Sequence, residues 1–151
     1  MDNKTNGKEK YMISIIGEQR VDGQDDRIEV MTAGNYMMKN GHHYINYKEY
    51  DSDTPDTYFN NLIKVEGELV TISRKGPVSS QLLLEKGKRH QCLYQTIAGD
   101  LMIGVFTKTL KNNLNENGGT LEVSYTLDYH TDLVSDIRFK KTIEEKKNEV
   151  E

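Results

Sequence analysis

The sequence predicts an all-β fold, a closed antiparallel up-and-down barrel of about eight to ten strands. Apolar residues recur at every second position in segments rich in Tyr, Ile, Val and Thr, which is the side-chain period of strands. Turn signals separate these segments at short intervals, as in sequential hairpins. Helical periodicity is nearly absent, so nothing supplies the crossover helices of a parallel sheet. A two-sheet sandwich is the alternative, but its Greek-key connections need a long return loop, and the tightly linked strands favour the barrel.

Alternating faces define the predicted strands in chain order. In five segments, the residues at every second position form a largely apolar row. The predicted inward rows are Ile28, Val30, Thr32, Gly34, Tyr36 and Met38; Ile45, Tyr47 and Glu49; Val70, Ile72 and Arg74; Ile103, Val105 and Thr107; and Leu121, Val123, Tyr125, Leu127 and Tyr129. Residues 90–97 are ambiguous, because the inward row is either His90, Cys92, Tyr94 and Thr96 or Leu93 and Ile97.

Turn signals mark the ends of the strands. Asn40-Gly41 is the strongest, since both residues accept the positive φ of a type I′ hairpin. The others are Asp22-Gly23, Glu66-Gly67, Gly87-Lys88, Gly99-Asp100 and Asn117-Gly118-Gly119. Two connections are longer: residues 51–58 form a polar loop with a proline, and residues 109–117 are predicted to hold one helical turn with Leu110 and Leu114 on one face.

Two of the inward rows end with a charged residue. Glu49 stands where its strand next requires an apolar residue, and Arg74 ends its own row in the same way. A lone ion inside a barrel would cost several kcal/mol of desolvation, whereas a carboxylate and a guanidinium can hydrogen-bond bidentately. The sequence therefore predicts that Glu49 and Arg74 point into one interior and contact each other directly or through one water.

Aromatic and hydroxyl side chains are predicted around this pair. If the face of residues 90–97 that carries Tyr94 and Thr96 points inward, the lumen also holds Tyr36, Tyr47 and Tyr125. A barrel of about eight strands is filled by side chains or holds one small ligand. The tyrosine hydroxyls are therefore either plugs of a filled interior or contacts to a ligand, and both alternatives stay open.

The residues in these rows resemble a known family. The string Tyr47-x-Glu49, Ile63-Lys64-Val65, Arg74-x-Gly76, Tyr94-x-Thr96-x-x-Gly99 and Thr107 is similar to the pattern of the YwiB-like bacterial proteins, a family of unknown function. The resemblance runs from Ile13 to Ile143 and implies a calycin-like barrel, the group that includes lipocalins and fatty-acid-binding proteins. It transfers no catalytic residue, and Asn61 stands where the family pattern has a threonine. By this resemblance, the candidate ligand-binding residues are Tyr47, Glu49, Arg74, Tyr94, Thr96 and Thr107, to which the predicted lumen adds Tyr36 and Tyr125.

Length, charge and cysteine content limit the class of protein. The 151 residues fit one domain, which we place at residues 10–144, with polar flexible tails at 1–9 and 145–151. A net charge of −4 predicts neither a nucleic-acid nor an anionic membrane partner. One cysteine cannot form an intrachain disulfide, the first residues are too polar for a signal peptide, and no window approaches the length of a membrane helix. We therefore expect a cytoplasmic protein.

Motifs for metal and catalytic chemistry are incomplete. His90-x-Cys92 offers two ligands where a zinc site needs three or four, and residues 51–56 lack the glycine of a calcium loop. There is no G-x-S-x-G elbow and no glycine-rich phosphate loop before a helix. Because Arg74 would lower the pKa of Glu49, the carboxylate is disfavoured as a general base. We predict no metal, no cofactor and no catalytic residue, and we favour a protein that is not an enzyme.

Three functions are compatible with this pattern. The first is binding of a small amphipathic or anionic molecule inside the barrel, with Arg74 near its head group. The second is a filled barrel that acts as a non-catalytic interaction module or homodimer, through an outer patch formed by Met31, Met37 and Phe106. The third is a hydrolase or isomerase that uses Glu49 or His90.

Overall fold

In the computed structural model, antiparallel strands close into one barrel, which confirms the predicted fold class. The structure describes residues 9–50, 53–54, 56–130 and 132–146. Within these residues each strand pairs with its neighbours in the chain, and β1 pairs with β10 to close the ring. The ten strands are β1 Tyr11–Val21, β2 Gln24–Lys39, β3 His42–Tyr50, β4 Tyr58–Glu66, β5 Leu69–Lys75, β6 Ser80–Glu85, β7 Arg89–Thr96, β8 Gly99–Asn115, β9 Gly118–Tyr129 and β10 Asp132–Glu145.

Most of the predicted turns join the expected strands. Asn40 and Gly41 have φ of 54° and 78°, so both central residues of the β2–β3 hairpin are left-handed, as a type I′ turn requires. The β7–β8 turn differs from the prediction. Gly99 is the first residue of β8, and the tip of the hairpin is Ile97-Ala98. The prediction, which was made from the glycine alone, therefore placed this turn too far toward the C-terminus.

The predicted helical turn in residues 109–117 is wrong. β8 runs without interruption to Asn115 and pairs with β9, with Leu110 opposite Val123 and Leu114 opposite Gly119. Leu110 and Leu114 do share a face, because residues four apart lie on the same side of a strand as well as of a helix. A bulge at Lys108 shifts the β8 register, so that Thr107 and Leu110 can both face inward.

The apolar core fills one end of the barrel, which we call the closed end. It is the end that carries the β2–β3, β4–β5 and β8–β9 turns. Side chains from every part of the ring meet there without solvent exposure, in the way a barrel interior is packed. The fully buried apolar residues are Ile13, Ile45, Ile63, Val65, Val70, Leu84, Val105, Leu121, Val123 and Ile143.

A polar plug completes the closed end. The Tyr36 hydroxyl donates to the carbonyl of Asn115 over 2.6 Å and lies 2.8 Å from Nδ1 of His43. Because the single hydroxyl proton goes to Asn115, the His43 Nδ1–H must be the donor to the Tyr36 oxygen. The Tyr11 ring meets the Tyr36 ring edge-on, with centroids 5.6 Å apart. Tyr36 therefore ties β2 and β3 to the end of β8.

The predicted domain, residues 10–144, lies almost wholly within the described residues. Most of the predicted tails, residues 1–8 and 147–151, lie outside the described residues, as do positions 51, 52 and 55 of the predicted loop. Glu145 is the last residue of β10, and the N–H of Lys146 donates to the carbonyl of Lys10 over 2.8 Å. Over the described chain there is no helix of the length and apolar character needed to cross a membrane. The likeness to calycins stays a prediction.

Gly34 is expected to be a point of close packing between β2 and its neighbours. A Cβ at this position would lie 2.5 Å from the carbonyl oxygen of Asn46 and 2.5 Å from Cδ1 of Ile13. We expect Gly34→Ala to lower the free energy of unfolding in urea by about 1–3 kcal/mol, the usual cost of overpacking. Gly17→Ala is the control, because its Cβ would meet only the Ile28 side chain, at 3.2 Å, which is exposed and can move. Equal urea midpoints for the two variants would contradict this account.

Candidate functional site

The predicted contact between Glu49 and Arg74 is confirmed. Nε of Arg74 donates to Oε1 of Glu49 and Nη2 donates to Oε2, each over 3.2 Å, so the pair is bidentate. The two residues lie at the end of the barrel opposite the closed end, which we call the open end. Both side chains are partly exposed, to 32% for Arg74 and 50% for Glu49. A solvent-facing edge makes this pair less costly than a fully buried one.

The pair spans a whole strand. Glu49 lies on β3 and Arg74 on β5, and β4 runs between them. In the register, Glu49 is opposite Phe59 and Arg74 is opposite Asn61, so two long side chains reach across β4 toward each other. Strands are spaced at about 4.8 Å, so only side chains of this length bridge such a gap.

The strand between the two charges supports both of them. Nδ2 of Asn61 donates to Oε1 of Glu49 over 3.2 Å, which gives this inward residue of β4 a clear role. The guanidinium carbon of Arg74 lies 3.7 Å from the centroid of the Phe59 ring, within the range of a cation–π contact. Gly76 leaves room for that ring, because a Cβ there would lie 2.6 Å from Cδ2 of Phe59. The guanidinium of Arg74 is thus contacted on its flat face by Phe59 and along its edge by Glu49.

A second cation lies inside the barrel. Lys141 on β10 is 5% exposed and sits between Ile15 of β1 and Leu121 of β9 in the register. Its Nζ lies 4.5 Å from the centroid of the Phe139 ring and 5.7 Å from that of Tyr47. No ion pair joins its ammonium to a carboxylate of the described residues. The two aromatic faces lie against the ammonium, and the charge of Glu49 attracts it without an ion-pair contact.

These residues surround one cavity. It has a volume of about 480 Å³ and opens at the open end of the barrel. Four of the eight predicted site residues line it, namely Tyr47, Glu49, Arg74 and Tyr125. Asn61 and Lys141 lie in its inner part beside these residues, and the apolar wall includes Ile15, Val30, Ile72, Leu82, Ile137 and Phe139. The remaining polar lining residues are Glu18, Gln19, Asp26, Arg27, Thr32, Lys48 and Arg138.

The pKa values in the cavity follow from burial and from Arg74. Burial raises the pKa of Glu49, but the hydrogen bonds and charge of Arg74, together with Asn61 and Lys141, outweigh burial and lower the net pKa. Burial raises the pKa of both Tyr47 and Tyr125. Burial lowers the pKa of Lys141 to about 8, against the attraction of Glu49. At neutral pH the inner part of the cavity therefore holds the cations of Arg74 and Lys141, the anion of Glu49 and two neutral phenols.

The other four predicted residues do not line the cavity. Tyr36 belongs to the plug at the closed end, where its pKa is raised by burial to about 12. Thr96 caps the β7–β8 turn, since its hydroxyl donates to the carbonyl of Gly99 over 2.6 Å. Tyr94 is paired with Ser80 at the edge of the β6–β7 seam. Thr107 is fully buried, and its hydroxyl has no hydrogen-bond partner in the described chain.

Lys141 was missed by the sequence-based prediction, although the same signal was present. The inward row of β10 is Ile137, Phe139, Lys141 and Ile143, so a charge interrupts an apolar row there just as Glu49 does in β3. Two adjacent lysines, Lys140 and Lys141, hide this alternation, because only one of them faces inward.

The remaining motifs are explained by local contacts. Nε2 of His90 lies 2.9 Å from a carboxylate oxygen of Glu85, and the N–H of Leu83 donates to the thiol of Cys92 over 3.4 Å. Burial raises the pKa of the Cys92 thiol. Among the described residues, no group of three or more His, Cys, Asp and Glu side chains is placed to hold a metal ion.

The fold and the site together define a class, a closed antiparallel β-barrel with a polar cavity at one end. Residues 13–140 match the family described as "Domain of unknown function (DUF1934)", and the chain belongs to this family. It is 27% identical over 107 residues to the uncharacterized beta-barrel protein YwiB of Bacillus subtilis (strain 168), covering 70% of this chain and 72% of that protein. The crystal structure of the ywiB protein from Bacillus subtilis matches with a TM-score of 0.79 and 19% identity, over 95% of this chain and 100% of that one. The resemblance to YwiB-like proteins is thereby confirmed.

The buried hydroxyl of Thr107 is expected to cost stability. A polar group buried without a partner costs about 1–3 kcal/mol, so we expect Thr107→Val to raise the free energy of unfolding in urea by about 1 kcal/mol. Thr109→Val is the matched control, because the Thr109 hydroxyl hydrogen-bonds Oγ of Ser124 over 2.6 Å and its loss should destabilise. A loss of stability in both variants would show that the Thr107 hydroxyl is satisfied.

The low pKa of Lys141 predicts a pH dependence of stability. In the folded protein this pKa is about 8, and in the unfolded chain it is near the ordinary lysine value of about 10.4. Between these values the unfolded chain binds more protons, so the lysine's contribution to the free energy of unfolding increases as pH rises, by about 3 kcal/mol in total. Tyr47 and Tyr125 lower the free energy of unfolding as pH rises, but only at pH values above the ordinary tyrosine pKa of about 10.

The measurement is chemical unfolding of the wild type and Lys141→Met from about pH 7 to about pH 10. Lys141→Met should be more stable than the wild type at pH 7. The difference in the free energy of unfolding between the two proteins should shrink as pH rises. Lys140→Met, at an exposed neighbouring position, should show a constant difference from the wild type. A constant difference for Lys141→Met as well would contradict the prediction.

Proposed function

We propose that this protein binds a small amphipathic anion in the cavity at the open end of the barrel. The head group lies between Arg74 and Lys141, and the apolar part contacts the wall. The observation that carries the proposal is the charge balance: five basic side chains line the cavity against three acidic ones, and in its inner part Arg74 and Lys141 face the single carboxylate of Glu49. A ligand with one negative charge would leave this part of the cavity neutral.

The pairing within the cavity decides which cation the ligand meets first. Glu49 is already hydrogen-bonded by Arg74 and Asn61, so its charge is largely committed to them. Lys141 has no ion pair among the described residues, and its charged form is penalised by burial. An anion beside Lys141 would offset that penalty, because an opposite charge stabilises a desolvated ammonium.

The rim of the cavity carries charges of both signs, and these contribute little to the choice of ligand. Arg27 and Arg138 lie 3.9 and 3.5 Å from carboxylate oxygens of Glu18, and the two arginine side chains are 54% and 70% exposed. Exposed pairs of this kind contribute little. Selection of the ligand therefore rests on the residues deeper in the cavity.

Size and lining suit a small organic molecule. A volume of about 480 Å³ falls in the usual range of ligand pockets, about 300–1,000 Å³. The lining is mixed, with ten aliphatic or aromatic residues beside eleven polar or charged ones. This arrangement favours a ligand with one polar end over a uniformly polar one.

The two other functions considered from the sequence have weaker support. Met31 and Met37 lie on β2, whereas Phe106 lies on β8, and three strands separate β2 from β8 around the ring. They do not form one patch, which weighs against a homodimer through them. The lowered pKa of Glu49 weighs against its use as a general base in a hydrolase or isomerase.

The cellular setting is part of the proposal. We place the protein in the cytoplasm, and the support is its single cysteine, Cys92, which is a free and buried thiol suited to a reducing compartment. The negative net charge of −4 supports a small-molecule ligand over a nucleic-acid partner.

Binding can be tested with a fluorescent anion and two matched competitors. Anilinonaphthalene sulfonate should bind the purified protein, and octanoate should displace it at much lower concentration than octanol, which lacks the charge. Lys141→Met should weaken octanoate binding about 10- to 100-fold, as expected for loss of a charged hydrogen bond worth about 1.5–3 kcal/mol. It should leave octanol binding unchanged.

Lys140→Met serves as the control, because Lys140 is exposed on the outer face of the same strand. It should bind octanoate as the wild type does. Native mass spectrometry of freshly purified protein gives an independent measure, since a retained anionic ligand would be seen directly. Equal displacement by octanoate and octanol in the wild type would overturn the proposal.

A further inference from the structure

Lys141 has a second chemical property that anion binding does not use. A lysine is almost never fully buried unless its charge is paired. Lys141 is 5% exposed, faces a cavity and has no ion pair with a described residue. A buried amine with access to a ligand cavity is placed as nucleophilic lysines are, in a largely apolar pocket beside another cation.

We propose that Lys141 forms an imine with an aldehyde or ketone that enters the cavity, while an anionic group of the same molecule is held near Arg74. The inference rests on the proposed function, because it assigns the same cavity to a narrower class of ligand. That class is small amphipathic carbonyl compounds with a carboxylate or a similar anion.

The neutral amine needed for this reaction is available near neutral pH. Burial lowers the pKa of Lys141 to about 8, whereas an exposed lysine has a pKa of about 10.4. At pH 7 this difference makes the neutral fraction of Lys141 about 200 times larger than that of an exposed lysine. Nucleophilic attack is made by the neutral form, so Lys141 should react ahead of the exposed lysines.

The step is balanced without any further reagent. The lone pair of Nζ attacks the carbonyl carbon, and the carbonyl π electrons move to oxygen, which takes a proton to give a carbinolamine. The C–O bond then breaks as the hydroxyl leaves with a proton as water, and the C=N bond forms. In sum, the amine and the carbonyl compound give an imine and one water, both amine protons leaving in the water.

The surroundings of Lys141 favour the imine over its hydrolysis. The Phe139 ring lies against Nζ, with 4.5 Å to the centroid, and Lys141 is only 5% exposed, so bulk water has little access to the amine. Glu49 is committed to Arg74 and Asn61, so it does not bind the amine as a permanent counter-ion. The opening at the barrel end admits the ligand and lets water leave.

The test is reductive trapping on the intact chain. The protein is incubated with 4-formylbenzoate and cyanoborohydride near pH 7, and the adduct is located by peptide mass spectrometry. The reduced product adds the mass of the aldehyde less one oxygen atom. We expect Lys141 to be labelled at least 10-fold faster than any other lysine, and we expect benzaldehyde, which lacks the carboxylate, to label it more slowly.

Site mapping on the wild type needs no variant, so a failure to fold cannot obscure it. Lys141→Met should lose the dominant adduct, and Lys140→Met should keep it. Labelling spread over exposed lysines, with no enrichment at Lys141, would overturn the imine. Binding of 4-methylbenzoate, which has the same shape but no carbonyl, separates the two proposals.

If 4-methylbenzoate binds and Lys141 is not labelled, the imine is refuted and anion binding stands. If Lys141 is labelled equally fast by 4-formylbenzoate and benzaldehyde while 4-methylbenzoate does not bind, the imine stands and the anionic head group is refuted. If neither occurs, both proposals are refuted.

Discussion

The width of the barrel is the constraint on which the rest of this structure depends. About eight strands enclose an interior that side chains just fill, so a ring of ten leaves space that must be closed or hydrated. At the closed end the space is taken by isoleucine and valine side chains and by the Tyr36–His43 plug. At the open end it is left as a cavity, and Glu49 and Arg74 can face inward there because their outer edges meet solvent.

The Glu49–Arg74 pair is best understood as a brace across this wider interior. It joins β3 to β5 over the intervening β4, and Asn61 and Phe59 of β4 hold its two halves. The brace fixes the direction of the Arg74 guanidinium and engages the Glu49 carboxylate in hydrogen bonds to Arg74 and Asn61. One consequence is electrostatic: with the acid engaged, Lys141 has no ion pair within the described part of the chain, and the cavity keeps an excess of positive charge.

The sequence predicted which residues face inward but not where along the barrel axis they lie. Alternation placed Tyr36 and Tyr47 in inward rows, and both are buried. Register then separates them: Tyr36 pairs with Ile45 near the closed end, whereas Tyr47 pairs with Gly34 beside the cavity. Height along the axis depends on how ten strands are staggered when the ring closes, and a single strand carries no information on that.

Patterns with two possible structural causes account for the other differences. Leu110 and Leu114 share a face of β8 because residues four apart do so in a strand as well as in a helix, so their spacing imitated a helical turn. Thr96 was assigned to the lumen by its face, yet it stands at the last residue of β7, where a hydroxyl is better used to cap the following turn. In both cases a short-range pattern was correct and its structural cause was different.

Lys141 carries the strongest physical argument for function in this chain. Its neighbours on β10, Phe139 and Ile143, are buried, and an apolar residue at 141 would continue their row without desolvating a charge. Buried charges are commonly less stabilising than apolar residues of similar volume, so a lysine here opposes folding. Residues that break the local pattern at a cost in stability concentrate at functional sites. The cost at this position falls on an amine that faces the cavity, which is why both proposals, anion binding and imine formation, are assigned to Lys141.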